Sequence, residues 1–145
     1  NDMTGDGSQS NPWRSINRGD QLGVLQPGDT VLVAVGTYVT GNRGVELYNC
    51  GGNQVLPLTY KADGRVVIDQ TNVDITTPGH SFGWLLAANA NYVVVDGFEF
   101  TGCQWGVYLD GDGGSYYVHH NEIRNCIIHN SRPPSPGAGG WPGRG

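Results

Sequence analysis

Charge is scarce in this chain. Of its 145 residues only 14% are Asp, Glu, Lys or Arg, and Lys61 is the single lysine. A coiled coil, a long helical bundle or a solvated disordered chain carries far more charge, so these classes are excluded. Eight basic residues against 13 acidic ones leave a net charge of −5. No basic face can be assembled from that balance, which argues against nucleic acid as a partner. Long apolar runs are missing too. None approaches the roughly 18 residues of a membrane-spanning helix. The polar stretch from Asn1 to Gly7 has no basic or apolar segment of the secretion-signal kind, and a secreted chain already relieved of its signal reads the same way. Cysteine is sparse. Cys50, Cys103 and Cys126 match no zinc spacing and cannot all pair. Two readings stay open for them: buried free thiols acting as small apolar side chains, or a Cys103–Cys126 disulfide.

Glycine, by contrast, is abundant, with 24 residues. It shows no third-residue period, so collagen is excluded. The length fits one domain, residues 1–145. Asn1 to Asn11 reads as a loop. Ser15 is placed to cap a short helix running to about Leu25, which would bury Ile16, Leu22 and Leu25. Gly19 and Gly23 each weaken that helix by about 1 kcal/mol relative to alanine. Pro27-Gly28-Asp29 is a turn, and Thr30 to Val35 begins β structure with β-branched residues in alternation.

From there the chain repeats itself. A glycine followed by apolar–x–apolar occurs at Gly44-Val45-Glu46-Leu47, Gly83-Trp84-Leu85-Leu86 and Gly106-Val107-Tyr108-Leu109. A second phrase occurs at Arg65-Val66-Val67-Ile68-Asp69, Tyr92-Val93-Val94-Val95-Asp96 and Ser115-Tyr116-Tyr117-Val118-His119. Repeats of about 20–30 residues made of short strands, with almost no helical periodicity, point to a stacked solenoid. The expected fold is all-β: a right-handed, single-stranded parallel β-helix with a short N-terminal capping helix. Equivalent residues then stack about 4.8 Å apart. Val66, Val93 and Tyr116 would form one inward column. Ile68, Val95 and Val118 would form a second, and Val45, Trp84 and Val107 a third. Cys103 would lie on Cys126 and Phe100 on Ile123. Residues 131–145 read as a loop or unfinished coil, so the chain is expected to be the N-terminal part of a longer solenoid.

Several phrases carry a family likeness. Asn11-Pro12-Trp13-Arg14-Ser15-Ile16, Gln26-Pro27-Gly28-Asp29-Thr30-Val31 and Gly36-Thr37-Tyr38 resemble the opening of right-handed β-helix proteins of the pectate lyase-like superfamily. The stretches Pro57 to Asp69 and Tyr92 to Phe100 continue the likeness, which spans Asn11 to Asn130. The resemblance implies an extracellular or cell-envelope protein engaging a polysaccharide such as pectate or alginate. It further implies sites on the outer face of central coils, Ca²⁺ as a possible cofactor, and Lys or Arg as the base of a lyase. The Asn–Asp–Asp–Gly calcium signature of related bacterial members has no counterpart here. The nearest acidic cluster is Asp110-Gly111-Asp112-Gly113-Gly114.

Candidate site residues follow from this arrangement. Asp69, Asp96 and His119 share one column in the repeat register, and a carboxylate beside an imidazole suits acid–base work. Ordinary corner polarity explains the same residues. Asp110 and Asp112 offer hard oxygen ligands for Ca²⁺, or are solvated turn residues. His119-His120 looks like a metal or catalytic pair, yet successive strand residues face opposite sides. Both could serve one metal only where the chain turns a corner, and the register puts a corner near His120. Lys61 and Arg65 are candidate lyase bases, or simply lie in a surface turn. Glu99 and Glu122 would stack with the separation of a retaining glycosidase, or form a solvated face. Tyr92 and Tyr108 should face outward beside Tyr117, with Trp105 and Trp141 in loops, and these rings suit stacking on sugars. Three functions are consistent with the whole: part of a polysaccharide lyase or glycoside hydrolase, a non-catalytic carbohydrate-binding or surface module, and a purely structural repeat.

Overall fold

The computed structural model describes residues 2–41, 43–74, 81–111 and 116–133. Apart from one short helix, α1 (Arg18–Leu22), its regular elements are all strands. They are β1 (Thr30–Tyr38), β2 (Val45–Tyr48), β3 (Leu58–Asp69), β4 (Phe82–Ala87), β5 (Val93–Thr101), β6 (Trp105–Asp110), β7 (Glu122–Arg124) and β8 (Ile127–His129). One sheet runs β1-β3-β5-β7, with β8 also on β5, and a second runs β2-β4-β6. Every strand pairing is parallel. Up to β7 the chain alternates between the two sheets, because parallel neighbours cannot be joined by a tight hairpin. The described chain is thus mostly β with parallel sheets, as the apolar alternation and the recurring phrases together predict.

Within the larger sheet each long strand is divided. Register breaks fall between Ala34 and Gly36 on β1 and between Lys61 and Val66 on β3. Gly64 and Gly97 take left-handed φ values of 90° and 86°, and Asn125, between β7 and β8, follows at 52°. Glycine and asparagine enter that region at least cost. On either side of the division, alternate side chains point into one core. Leu58, Tyr60, Val66 and Ile68 come from β3, and Val93, Val95, Phe98 and Phe100 from β5. Val45, Leu47, Trp84 and Leu86 close it from the second sheet.

The column of Val45, Trp84 and Val107 forms as predicted. The other two predicted columns do not. Val66 pairs with Phe98 and Ile68 with Phe100, while Val93 and Val95 pair with Leu58 and Tyr60. Tyr116 is exposed, and Val118 packs partly buried against the core. The cause is the divided strand. Arg65–Asp69 is the second half of β3, whereas Tyr92–Asp96 leads into the first half of β5. Both halves carry the same apolar alternation, so like phrases sit in unlike places. Phe100 correspondingly lies on Ile128 rather than Ile123. Ile123 and Ile128 extend the Val95 and Phe100 columns but remain 37% and 50% exposed.

Helix α1 is shorter than predicted and Ser15 does not cap it. The Ser15 hydroxyl and amide both donate to the Asp2 carboxylate. Asn17 holds the cap position without a side-chain cap bond, because its Nδ2 donates to Glu46 O at 3.2 Å. One turn on, Asp20 Oδ2 accepts from Tyr48 N at 3.2 Å. The helix therefore satisfies polar backbone along the edge of β2, an edge that would otherwise be open to other strands. Ile16 reaches the core, Leu25 packs against it partly buried, and Leu22 stays exposed.

Arg132 binds the far side. Its guanidinium donates to Gln70 O and Gly102 O, each at 2.6 Å, and to Thr71 O and Val73 O at 3.1 Å. All three cysteines are free. Cys103 and Cys126 place their thiols against the backbone carbonyls of Thr101 and Val95. No helix among the described residues is long and apolar enough to cross a membrane.

Candidate functional site

Three surface regions hold the candidate residues. The first is a corner built from asparagines. Asn49 and Asn89 adopt left-handed φ, as do Tyr92 and His120. Nearby asparagine side chains tie together segments far apart in sequence. Asn91 Oδ1 accepts from His119 N at 2.8 Å, Asn121 Oδ1 accepts from Val93 N at 2.8 Å, and Asn89 Nδ2 donates to Asn49 Oδ1 at 3.3 Å. Tyr92 N donates to His119 O at 3.2 Å. The Tyr92 ring then stacks on His120, centroids 4.7 Å apart and 15° from parallel, and meets His119 edge-on at 5.5 Å.

Beside this corner lies a cleft of about 540 Å³, whose lining includes Asp20, Tyr48, Cys50, Asn91, Tyr92 and His119. Burial raises the pKa of Asp20 and pushes the Cys50 thiol up strongly, the more so for its carboxylate neighbour. Cys50 is therefore a protonated, unreactive thiol at neutral pH. Tyr48, at the rim, is raised to about 12 by burial and by its hydrogen bond to Glu46. The Tyr60 hydroxyl is buried with no hydrogen-bond partner among the described residues.

The second region is an aromatic group on β4 and β6. Tyr108 stacks on Phe82 with centroids 4.9 Å apart and planes 21° from parallel. Trp105 lies 5.5 Å from Phe82 and 6.0 Å from Tyr108. Phe82 is buried and joins Leu85 and Ala87 in a small apolar cluster separate from the main core, and Tyr108 is 37% exposed. Asp110 closes the same strand, exposed.

The third region is a pair of ionic groups on the larger sheet. Arg65 grips Glu99 with two bonds, at 2.8 and 2.9 Å, and His129 Nε2 reaches the same carboxylate at 2.9 Å. Arg65 first, then His129, hold Glu99 down to a pKa of about 2. Arg124 pairs with Asp96 at 3.1 Å and with Glu122 at 3.4 Å. The amide of Asn125 first, then Arg124, keep Asp96 below the ordinary carboxylate range.

The predicted residues are thus redistributed. Asp69, Asp96 and His119 do not share a column: Asp69 pairs with Thr101, Asp96 lies between Lys61 and Arg124, and His119 sits at the corner with Tyr92. Asp69 accepts from Thr71 N at 2.8 Å and serves its own turn. Glu99 and Glu122 do not stack either, since their partners are Ile127 and Val94. Both misplacements follow from the divided strand. Of the four predicted sugar-binding rings, Trp105 and Tyr108 come together, Trp105 opening β6 rather than lying in a loop. Tyr92 joins the histidines, and Tyr117 is exposed with its amide donating to Asn89 at 3.2 Å. Asp112 and Trp141 lie outside the described residues. Among the described residues no group of three or more His, Cys, Asp or Glu is placed to hold a metal ion. Phe82, Asp20 and the Glu99–His129 contact went unforeseen. Phe82 starts its strand where period-two reading is weakest, and the other two join residues far apart in sequence.

No protein-family model matches the chain, and no curated protein is significantly similar to it.

Proposed function

We propose that this chain is a right-handed parallel β-helix domain that engages polysaccharide through aromatic stacking, which would place it outside the cell. The observation that carries the reading is the contiguous group of Phe82, Trp105 and Tyr108 on β4 and β6. A buried ring backing a partly exposed one fixes the stacking surface, so little side-chain entropy is lost when a sugar face settles on it. Alternation of the chain between two parallel sheets, with the Val45–Trp84–Val107 column between them, supports the coil geometry.

Binding is favoured over lyase chemistry by the state of the arginines. A basic residue that removes a carbon-bound proton needs a depressed pKa. Arg65 and Arg124 are shifted the other way by their hydrogen bonds to Glu99 and Asp96. Affinity electrophoresis in gels containing pectate, alginate or a neutral glucan tests the proposal. Retardation in at least one gel, lost in Tyr108→Ala and Trp105→Ala while Tyr117→Ala behaves as the parent, is the expected result. Equal mobility in every gel would refute it. Absorbance near 235 nm on the two uronate polymers, with and without Ca²⁺, reads lyase activity in the same samples.

A further inference from the structure

The corner at His119 and His120 carries an inference of a different kind, independent of the polysaccharide reading. In a regular strand these two side chains would point to opposite faces. Here His120 adopts a left-handed φ of 54°, and that single dihedral swings its ring back toward its neighbour. The two Nδ1 atoms come to 2.7 Å, with ring planes at 87° and both residues exposed. Neither ring is left to wander. Tyr92 stacks against His120 and abuts His119, and Asn91 holds the His119 amide at 2.8 Å.

We propose that His119 and His120 form a two-nitrogen site for a borderline divalent transition metal, with Cu²⁺ bound most strongly. Two nitrogens each about 2.0–2.1 Å from one cation and at a right angle to it lie about 2.9 Å apart. The observed separation needs to open by only a few tenths of an ångström. Without a metal, one Nδ1 must carry a proton and the other a lone pair. On binding, the protonated ring shifts its proton to Nε2 through solvent. Two Nδ1 lone pairs then form the two metal–nitrogen bonds, with no change of oxidation state and no net proton release. Imidazole nitrogens suit copper, nickel and zinc, whereas calcium and magnesium demand oxygen ligands. The stability order of divalent ions puts Cu²⁺ first. With no third His, Cys, Asp or Glu completing a cluster among the described residues, water fills the remaining positions.

The test is a Cu²⁺ titration of the untagged chain, followed by calorimetry and by electron paramagnetic resonance. One tight Cu²⁺ per chain with a two-nitrogen hyperfine pattern is expected. His119→Gln and His120→Asn should each weaken binding roughly tenfold or more and leave one nitrogen. Asparagine is the replacement at position 120 because it tolerates the left-handed corner, and circular dichroism confirms that each variant is folded. The His80→Ala/His129→Ala double variant, which keeps only the adjacent pair, should retain both affinity and spectrum. Binding unaffected by the His119→Gln/His120→Asn double variant, or abolished in the His80→Ala/His129→Ala variant, or absent from the parent, would overturn the proposal.

Discussion

Trp84 offers the sharpest test of how the core is packed. Its side chain is fully buried, with Val45 and Val107 as strand neighbours on either side. Tyr60 and Phe98 meet its ring edge-on at 5.2 and 5.0 Å. Its Nε1 is buried with no hydrogen-bond partner among the described residues. Two substitutions separate the packing contribution from the polar one. Trp84→Ala removes the whole ring and should cost about 3–5 kcal/mol. Trp84→Phe removes on the order of 40 Å³, worth about 1 kcal/mol at roughly 24 cal/mol per Å³, and about 1 kcal/mol more in lost transfer free energy. Against that, it eliminates a buried unsatisfied donor that costs about 1–3 kcal/mol. The two effects nearly cancel, so Trp84→Phe should lie within about 1 kcal/mol of the parent. Urea denaturation followed by far-ultraviolet circular dichroism reads both, provided the slopes agree. A Trp84→Phe penalty above about 3 kcal/mol, close to that of Trp84→Ala, would show that the indole N–H is satisfied and that the packing around it is wrongly described.

Other expectations follow from the polar contacts. Arg132→Met leaves four backbone carbonyls without their charged donor and should cost roughly 2–4 kcal/mol in urea, allowing for partial replacement by water. Arg132→Lys should recover less than half of that, since an ammonium cannot span the same four oxygens, and full recovery would contradict the role given to the guanidinium. Glu99 has a folded pKa of about 2, below its ordinary value of 4.5. Its pairing with Arg65 and His129 therefore supports the fold above the unfolded pKa, and that support is lost as pH falls from about 4.5 toward 2. Glu99→Gln should flatten the acid limb of a stability–pH curve in this window, and an unchanged limb would count against the contact. High salt should shrink the difference between parent and variant, because the ion pair is open to solvent.

The β character was legible because it rests on short-range alternation, and the parallel pairing because like phrases recur along the sequence with too many residues between them for hairpins. The Val45–Trp84–Val107 column was legible for a further reason. A Cβ on Gly44 would come within 2.2 Å of Phe82 O, and one on Gly83 within 2.5 Å of Gly106 O, so glycine precedes Val45 and Trp84 where backbones nearly touch, and a Cβ on Gly106, before Val107, would meet the Ile128 side chain. That constraint leaves a glycine immediately before each member of the column. Nothing comparable marks Val66 or Val93. Both halves of β3 and β5 alternate in the same way, and the bend at Gly64 and Gly97 decides which half meets which. The same bend moved Asp69 and Asp96 apart and dispersed the expected catalytic column. At the histidine corner, sequence spacing located the turn near His120 but could not supply the sign of one φ angle. The Phe82–Trp105–Tyr108 group was half visible. Its two β6 rings stood out as aromatic, while Phe82 is brought to them by parallel pairing across 23 residues.

The central structural claim is the parallel register of the divided strands. Nuclear Overhauser contacts between backbone and side-chain protons of the labelled protein test it most directly. Cross-strand contacts from Ile68 to Phe100, from Phe100 to Ile128 and from Tyr60 to Val95 are expected. Contacts from Ile68 to Val95 and from Phe100 to Ile123 in their place would restore the phrase-matched columns and contradict the fold described above.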